Sequence, residues 1–421
     1  MSVKLEDWLD GQGEDAPLLF WAATAQGWHR TPPRSVGLAV SGGSDSMAML
    51  HLMARVAPQT GWALKAVTVD HRLRPEAAEE AAFVGRACAA LSIPHDILIW
   101  DHGALHGNLM QAAREARYGL LADWAKRAGV DLVTLAHTAD DQAETFLMGL
   151  SRAAGLDGLA GMRDGFVTEG TLFRRPFLQQ FRAELRAYLT RQGVQWIDDP
   201  SNDNDRFTRV KARRAIKALA PLGITVDRLS GVVHNLSMAL SVVQDAVAKS
   251  ARDTVTETVG ALRVERKAFR NLHPEIRRRL LVAMVRWISG ALHPPRETKL
   301  AALGLALDLG KDATLGGVRF RWQGETLWIS REARGCGGPV PAGQLWDRRW
   351  RIDADAGEIR ALGAAGLRQC PDWREIGLPR HVLEVTPGLW QGADLIAAPC
   401  AGLGQAAATC TPSFSDFILS H

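Results

Sequence analysis

Cysteine is scarce in this 421-residue chain, and no two cysteines have the C-x-x-C spacing. The five cysteines are scattered and odd in number: Cys88, Cys336, Cys370, Cys400 and Cys410. Such a set is poor material for a disulfide framework, a zinc site or an iron–sulfur cluster. The sequence therefore disfavours small secreted scaffolds and metal-cluster proteins.

Long apolar runs are also missing. A helix that crosses a bilayer needs about 20 apolar residues, and the stretch 280–288 is interrupted by Arg286. The first residues include Glu6, Asp7 and Asp10, an acidic pattern that is wrong for a signal peptide. We therefore expect a soluble, cytoplasmic protein with no membrane partner.

Charge of either sign is nearly balanced, because 50 basic residues face 46 acidic ones and leave a net charge of +4. The segment 171–220 is different, with eleven basic and five acidic residues and a local net charge of +6. A concentrated basic surface suits a nucleic-acid backbone. A solvated helix face is the alternative interpretation.

Four β-branched apolar runs alternate with helix-period segments in the first 140 residues. The runs are 36–40, 63–69, 96–100 and 130–136. This alternation predicts βαβ units, and hence an α/β fold with a parallel sheet. Helical segments follow to about residue 308, and short β-like runs dominate from Thr314, including 318–322, 326–330, 351–352 and 383–385. The predicted divisions are an N-terminal extension at 1–34, an α/β domain at 35–218, a helical domain at 219–310 and a β-rich domain at 311–421.

A glycine- and serine-rich loop follows the first predicted strand and opens a helix. It reads Ser41-Gly42-Gly43-Ser44-Asp45-Ser46. Such a loop presents backbone N–H groups and a helix N-terminus to an anion, and Asp45 suits a Mg²⁺ ion that bridges phosphates. The loop lacks the G-K-[ST] of a Walker A motif. It resembles the PP-loop of the ATP pyrophosphatase superfamily, whose members adenylate a carbonyl-type oxygen and release pyrophosphate.

Further strings narrow the resemblance to one family. They are Val69-Asp70-His71-Arg72-Leu73-Arg74; Asn108 with Ala113-Arg114 and Arg117-Tyr118; Ala136-His137-Thr138-Ala139-Asp140-Asp141-Gln142-Ala143-Glu144-Thr145; Gly158-Leu159-Ala160-Gly161-Met162; Arg175-Pro176-Phe177-Leu178; and Trp196-Ile197-Asp198-Asp199-Pro200-Ser201-Asn202 with Phe207-Thr208-Arg209. Across about residues 36–214 the chain therefore resembles the tRNA(Ile)-lysidine synthetase family.

The resemblance implies an ATP-dependent ligation in two steps. ATP, with Mg²⁺, adenylates O2 of the wobble cytidine at position 34 in the CAU anticodon of an isoleucine tRNA. The ε-amine of free L-lysine then attacks C2 and displaces AMP, which is the logic of an activated intermediate. The product, lysidine, reads AUA instead of AUG. The resemblance further implies a PP-loop catalytic domain, a C-terminal tRNA-binding domain and a homodimer.

The same resemblance assigns site residues. The loop from Ser41 to Ser46 binds ATP, with Asp45 as the metal ligand, and Asp70 and His71 border the adenosine at the carboxyl end of the second strand. The expected catalytic set is Asp45, Arg117, His137, Asp141 and Glu144.

Within that set, Asp141, Glu144 and Arg117 are expected to bind lysine. Asp141 and Glu144 are three residues apart and share a helix face, and an arginine fork suits a carboxylate or phosphate. Acidic residues at a helix start also stabilise the helix dipole by about 0.3–1 kcal/mol each, which is the alternative role for the pair.

The basic segment is expected to hold the tRNA backbone. The predicted tRNA-binding residues are Arg175, Arg206, Arg209, Arg213, Arg214 and Lys217. Arg209, Arg213 and Lys217 recur every four residues and form one stripe if they are helical. The C-terminal tryptophans and arginines suit RNA stacking, although tryptophans at strand spacing are more often part of a core.

Another PP-loop tRNA modifier, a thiocytidine synthetase, is the nearest rival. Its sulfur chemistry typically uses C-x-x-C cysteines, which this chain lacks. Two positions depart from the family pattern, since Arg72 and Ala153 stand where glycine is usual. Glycine at such a position can serve a positive φ angle. These two residues therefore raise the question of which backbone conformation each position adopts.

Overall fold

The computed structural model describes residues 5–26, 33–72, 76–101, 109–198 and 208–419. The chain divides into two compact units, Met1–Leu240 and Ser241–His421. Within the described residues, no helix combines the length and the apolar character that crossing a membrane would need.

The first unit is built on a six-stranded sheet. Its strands are β1 Ser35–Ala39, β2 Ala63–Asp70, β3 His95–Ile99, β4 Leu132–Leu135, β5 Gly165–Thr168 and β6 Thr171–Arg174. They lie in the order β3-β2-β1-β4-β6-β5, with every neighbouring pair parallel except the β5–β6 hairpin. The predicted parallel sheet is therefore confirmed.

The first unit also contains helices, the last of which extends past the end of the unit at Leu240. They are α1 Leu5–Leu9, α2 Ala16–Ala23, α3 Ser44–Thr60, α4 Ala77–Ala90, α5 Leu109–Ala128, α6 Ala139–Leu150, α7 Leu156–Leu159, α8 Arg182–Arg191, α9 Thr208–Leu219 and α10 Val226–Thr254. The helix-period segments that alternate with the first four apolar runs, and the segment that follows the last run, form α3, α4, α5 and α6. One apolar core contains β1, α3 and α8, and another packs α5 against the other face, so β1 is buried on both sides.

The order of strands fixes where a site can form. The chain runs from β1 outward through β2 and β3, and then returns to place β4 on the opposite side of β1. Ala39 of β1 lies beside Leu135 of β4, so the loops that leave these two strands meet at one edge. Ligands of open α/β sheets bind at such a switch point, beyond the carboxyl ends of the strands.

The second unit contains three antiparallel sheets. Its strands are β7 Val255–Thr258, β8 Ala261–Glu265, β9 Ala313–Leu315, β10 Val318–Gln323, β11 Thr326–Arg331, β12 Val340–Pro341, β13 Trp350–Ile352, β14 Glu358–Ala361, β15 Pro387–Gln391, β16 Asp394–Ala397 and β17 Ala408–Cys410. The sheets have the orders β7-β8-β11-β10-β9, β12-β14-β15-β16 and β13-β17. Its helices are α11 Arg266–Arg270, α12 Pro274–Ser289, α13 Glu297–Asp308, α14 Gly363–Leu367, α15 Arg380–Leu383 and α16 Phe414–Leu419.

Two sequence expectations about this unit are corrected. A domain boundary at residue 310 does not fit, because β8 pairs with β11 and the helices α12 and α13 share one apolar core with that sheet. The run 383–385 is not a strand, because α15 ends at Leu383 and the strand β15 begins only at Pro387. The partner of β8 is distant in sequence, and a short apolar run such as 383–385 does not by itself distinguish a strand from a helix end.

Candidate active site

The loop between β1 and α3 has the shape of an anion cradle. Gly43 caps α3, and the Ser46 hydroxyl accepts from the Ser41 N–H at 3.1 Å and donates to the Gly43 carbonyl at 3.0 Å. Ser46 therefore shapes the loop from within. Gly42 has a φ of +87°, and a Cβ there would lie 3.0 Å from Cδ1 of Ile197. Glycine is required at this position both for the turn and for that close approach.

The segment that contains Trp196 and Ile197 closes over this loop. The Ile197 N–H donates to the Gly42 carbonyl at 2.9 Å. Arg186 of α8 donates to Ser44 Oγ at 3.1 Å and to Asp198 Oδ1 at 2.9 Å. These bonds join the start of the W-I-D-D-P-S-N string to the loop, although Asp199–Asn202 lie outside the described residues.

The acidic helix α6 begins with a capping box. Asp141 Oδ2 accepts from the Thr138 N–H at 2.9 Å and from its hydroxyl at 3.2 Å. Its other oxygen, Oδ1, lies 3.5 Å from Arg182 Nη2 and 3.4 Å from Arg209 Nη1. Asp141 thus caps the helix start with one oxygen and faces two arginines with the other, while its role in binding lysine stays a prediction.

Glu144 lies one turn further along α6 and is 1% exposed. Its Oε1 accepts from Arg213 Nε at 2.9 Å and lies 3.7 Å from Arg182 Nη1. Its Oε2 is buried and has no hydrogen-bond partner among the described residues. Burial and the neighbouring Asp141 carboxylate raise the pKa of Glu144. A buried carboxylate oxygen without a donor is a place for a ligand's N–H group.

Arg182, the first residue of α8, connects the two halves of the site. Its Nε donates to Asp45 Oδ2 in the loop at 2.9 Å, and its two Nη atoms face Asp141 and Glu144. Its backbone N–H donates to Asp140 Oδ2 at 2.8 Å, so Asp140 holds the start of α8. Arg182 is one of the basic residues of 171–220, and no local pattern indicates its place in the site, because its partners are far away in sequence.

His137 follows β4 and is held by a buried arginine. Arg175 Nε donates to His137 Nδ1 at 3.2 Å, Arg175 Nη1 donates to the Arg163 carbonyl at 2.6 Å, and the guanidinium stacks on Phe166 at 4.3 Å. Burial, together with the Arg175, Arg117 and Arg209 charges, lowers the pKa of His137 to about 3 against the opposing effect of Asp141. The imidazole is therefore neutral at pH 7. Because Nδ1 accepts a bond, the ring hydrogen is assigned to Nε2.

Arg175 is buried, whereas the sequence predicted it on a tRNA-binding surface. It is 6% exposed, and its donors are used inside the protein. A side chain that is buried in this way cannot contact a tRNA backbone at the surface. Its assignment to the tRNA-binding set is corrected to a role in positioning His137.

The remaining expected site residues have distinct surroundings. Arg117 of α5 is half-buried, the structure shows no hydrogen-bond acceptor for its guanidinium among the described residues, and burial lowers its pKa. The Arg209 charge also lowers the pKa of Arg117, and the Arg117 charge in turn contributes to the lowered pKa of His137. Asp70 ends β2, and His71 packs edge-to-face on Trp100 with ring centroids 5.8 Å apart.

The basic residues of α9 have two different surroundings. Arg209 and Arg213 turn inward to pair with Asp141 and Glu144, while Arg214 and Lys217 are exposed. Arg206 lies outside the described residues. The tRNA-binding role of this helix stays a prediction, and Arg214 and Lys217 are the members of the predicted set that it presents at the surface.

Both departures from the family pattern adopt the left-handed conformation. Arg72 has φ +50° and Ala153 has φ +51°. The Arg72 turn is supported by its N–H, which donates to Asp70 Oδ1 at 2.8 Å. Both residues therefore adopt a backbone conformation that favours glycine although each carries a side chain. The cost is roughly 1–2 kcal/mol for each residue.

A family model described as a PP-loop domain matches residues 22–219. The first unit is accordingly an ATP-binding PP-loop domain, which agrees with the loop geometry at Ser41–Ser46.

Similarity to individual proteins extends over most of the chain. A tRNA(Ile)-lysidine synthase from Ruegeria pomeroyi is 46% identical over 378 residues, which cover 89% of this chain and 90% of that protein. Proteins of the same name from Hyphomonas neptunium and Rhodopseudomonas palustris are 37% and 41% identical, with 73% and 66% of this chain covered and 83% and 81% of theirs. The chain belongs to the tRNA(Ile)-lysidine synthase family.

Proposed function

We propose that this protein ligates free L-lysine to C2 of the wobble cytidine in the CAU anticodon of an isoleucine tRNA. In the first step the cytidine O2 attacks the α-phosphorus of ATP, and pyrophosphate leaves. In the second step the lysine ε-amine attacks C2, and the C2–O2 bond breaks to release AMP. One ATP is consumed for each lysidine formed.

The single observation that carries this proposal is the buried acid pair beside the PP-loop. Asp141 and Glu144 are 7% and 1% exposed, and Arg182 connects them directly to Asp45 of the loop. Glu144 Oε2 offers an unused acceptor to an ammonium group. Arg117, which has no acceptor among the described residues, suits the lysine α-carboxylate. The site therefore has complementary groups for both ends of the amino acid.

The attack on C2 requires a neutral amine, and Glu144 is the best placed base. Its raised pKa brings it closer to the working pH than an ordinary glutamate, so it accepts a proton more readily from the ε-ammonium. His137 supports the reaction in a different way. As a neutral imidazole with its hydrogen on Nε2, it donates a hydrogen bond to the cytidine O2 or to a phosphate oxygen rather than supplying charge.

Magnesium fits the loop, with Asp45 as its protein ligand. Mg²⁺ characteristically uses one or two carboxylates with the remaining ligands from phosphates and water, and Asp45 lies within the loop beside two serine hydroxyls. Bound there, the ion would neutralise charge on the triphosphate. Burial raises the pKa of Asp45, and the Arg182 guanidinium opposes that effect.

Sulfur transfer is the alternative reaction for a PP-loop protein that acts on tRNA, and the first unit does not support it. Cys88 is its one cysteine. That side chain is buried in the apolar core, and burial raises the pKa of its thiol to about 11. A thiol in this environment is a poor nucleophile or sulfur carrier.

The test incubates the protein with ATP, Mg²⁺, labelled lysine and an isoleucine tRNA transcript that bears CAU. We expect label in the tRNA and an equal amount of AMP, with no label in a matched transcript in which the wobble cytidine is uridine. Label in both transcripts, or in neither, would overturn the assignment.

A further inference from the structure

Arg182 occupies the position in which a substrate ammonium would have to lie. Its guanidinium stands among three carboxylates, with Nε 2.9 Å from Asp45, Nη2 3.5 Å from Asp141 and Nη1 3.7 Å from Glu144. The bond to the loop is therefore short, while the two contacts to the expected lysine ligands are long. Contacts of 3.5 and 3.7 Å are longer than ordinary N–H···O hydrogen bonds, so these two are weaker than the bond to Asp45.

The ion pairs between the acidic residues and their arginine partners are already balanced in charge. Ion pairs join three carboxylates, of Asp45, Asp141 and Glu144, to three guanidinium groups, of Arg182, Arg209 and Arg213. An added ammonium group would leave an excess positive charge in a buried region, which is costly. For lysine to bind, either a cation must leave the carboxylates of Asp141 and Glu144 or new negative charge must enter the site.

We propose that Arg182 is a positioning residue that occupies the ammonium site of the empty enzyme and moves to the triphosphate when ATP binds. Lysine therefore binds well only after the nucleotide. This inference rests on the proposed function, because it assumes that Asp141 and Glu144 hold the lysine ε-ammonium.

The geometry explains why ATP would release Arg182. The triphosphate brings several negative charges to the loop that Arg182 already contacts through Asp45, and a guanidinium forms strong bidentate bonds with phosphate. The backbone of Arg182 is fixed, because its N–H donates to Asp140 Oδ2 at 2.8 Å. The movement is thus confined to the side chain. When its Nη atoms leave Asp141 and Glu144, these carboxylates become available to lysine.

Such an arrangement makes the two ligands cooperative. If ATP raises the affinity for lysine by some factor, lysine must raise the affinity for ATP by the same factor. Arg182 is the one side chain that contacts the loop and both acidic residues in the described part of the chain. The coupling should therefore depend on it specifically.

Calorimetric titration of lysine into the full-length protein tests the inference, without nucleotide and with saturating Mg²⁺ and α,β-methylene-ATP. We expect the wild type to bind lysine about 10-fold more tightly with the nucleotide analogue, within the usual range of allosteric coupling. Arg182→Gln should bind lysine more tightly than the wild type in the absence of nucleotide, and the analogue should then add little. Arg182→Lys, which keeps a cation but not the fork, should retain part of the coupling and serves if the glutamine variant does not fold.

Arg186→Gln is the matched control. Arg186 lies one turn along α8 and donates to Ser44 of the loop and to Asp198, not to Asp141 or Glu144. This variant should keep the coupling even if it binds the nucleotide more weakly. Lysine binding that is independent of nucleotide in the wild type, or full coupling in Arg182→Gln, would overturn the inference alone. A protein that binds the analogue but never lysine would overturn the proposed function with it.

Discussion

Replacing Glu144 by glutamine should weaken the use of lysine far more than the use of ATP. The substitution keeps the size of a buried side chain and removes only its charge, whereas Asp141→Asn would also disturb the helix cap at Thr138. A hydrogen bond to a charged group contributes about 1.5–3 kcal/mol. At 1.36 kcal/mol for each factor of ten, the KM for lysine should rise about 10- to 150-fold.

The assay measures transfer of labelled lysine to the tRNA transcript at saturating ATP, with lysine varied. We also expect a lower kcat for Glu144→Gln, because the variant lacks the base. Glu79→Gln is the control, since Glu79 is an exposed carboxylate on α4 and the substitution removes the same single negative charge. It should leave the lysine KM unchanged. An unchanged KM in Glu144→Gln would refute the lysine site.

Three further predictions concern stability, pH and salt. Ala153→Gly should raise the free energy of unfolding by about 1 kcal/mol in urea, because it relieves a φ of +51°; Ala154→Gly, at a position without positive φ, should not stabilise the protein. The pKa of His137 is lowered to about 3 in the folded state, so its contribution to stability is complete above pH 6.5 and is lost as the pH falls toward 3. Between pH 6.5 and pH 5, the free energy of unfolding of His137→Gln should therefore fall by up to about 2 kcal/mol less than that of the wild type. An equal fall in the two proteins would contradict a neutral His137. Lys217→Ser should reduce the salt dependence of tRNA binding by about one unit of logarithmic slope, measured by filter binding, whereas an unchanged slope would place Lys217 away from the backbone.

The loop and the acidic helix could be predicted from the sequence because both are local patterns. Glycine at position 42 and the carboxylates at 141 and 144 follow directly from strand ends, and parallel strands bring their carboxyl ends to one edge. In the structure β1 and β4 are neighbours, so the loop and the acidic helix leave the same edge of the sheet. Features that are set by a few adjacent residues could therefore be predicted from the sequence.

The partners of these groups could not be predicted in the same way. Arg182 pairs with Asp45 over a separation of 137 residues, and Arg213 pairs with Glu144 over 69. In the sequence both arginines belong to one basic segment, and nothing local distinguishes a side chain that turns inward from one that faces RNA. Arg175 is the clearest example, because its burial comes from packing against Phe166 and His137.

The identity of the modified nucleoside is the most direct test of the proposed reaction. After incubation with ATP, Mg²⁺, lysine and the CAU-bearing isoleucine tRNA, the tRNA is digested and the nucleoside from position 34 is analysed by mass spectrometry. The account predicts a cytidine that has gained one lysine and lost one water. Unmodified cytidine, a thiolated base, or lysine attached at any other position would contradict it.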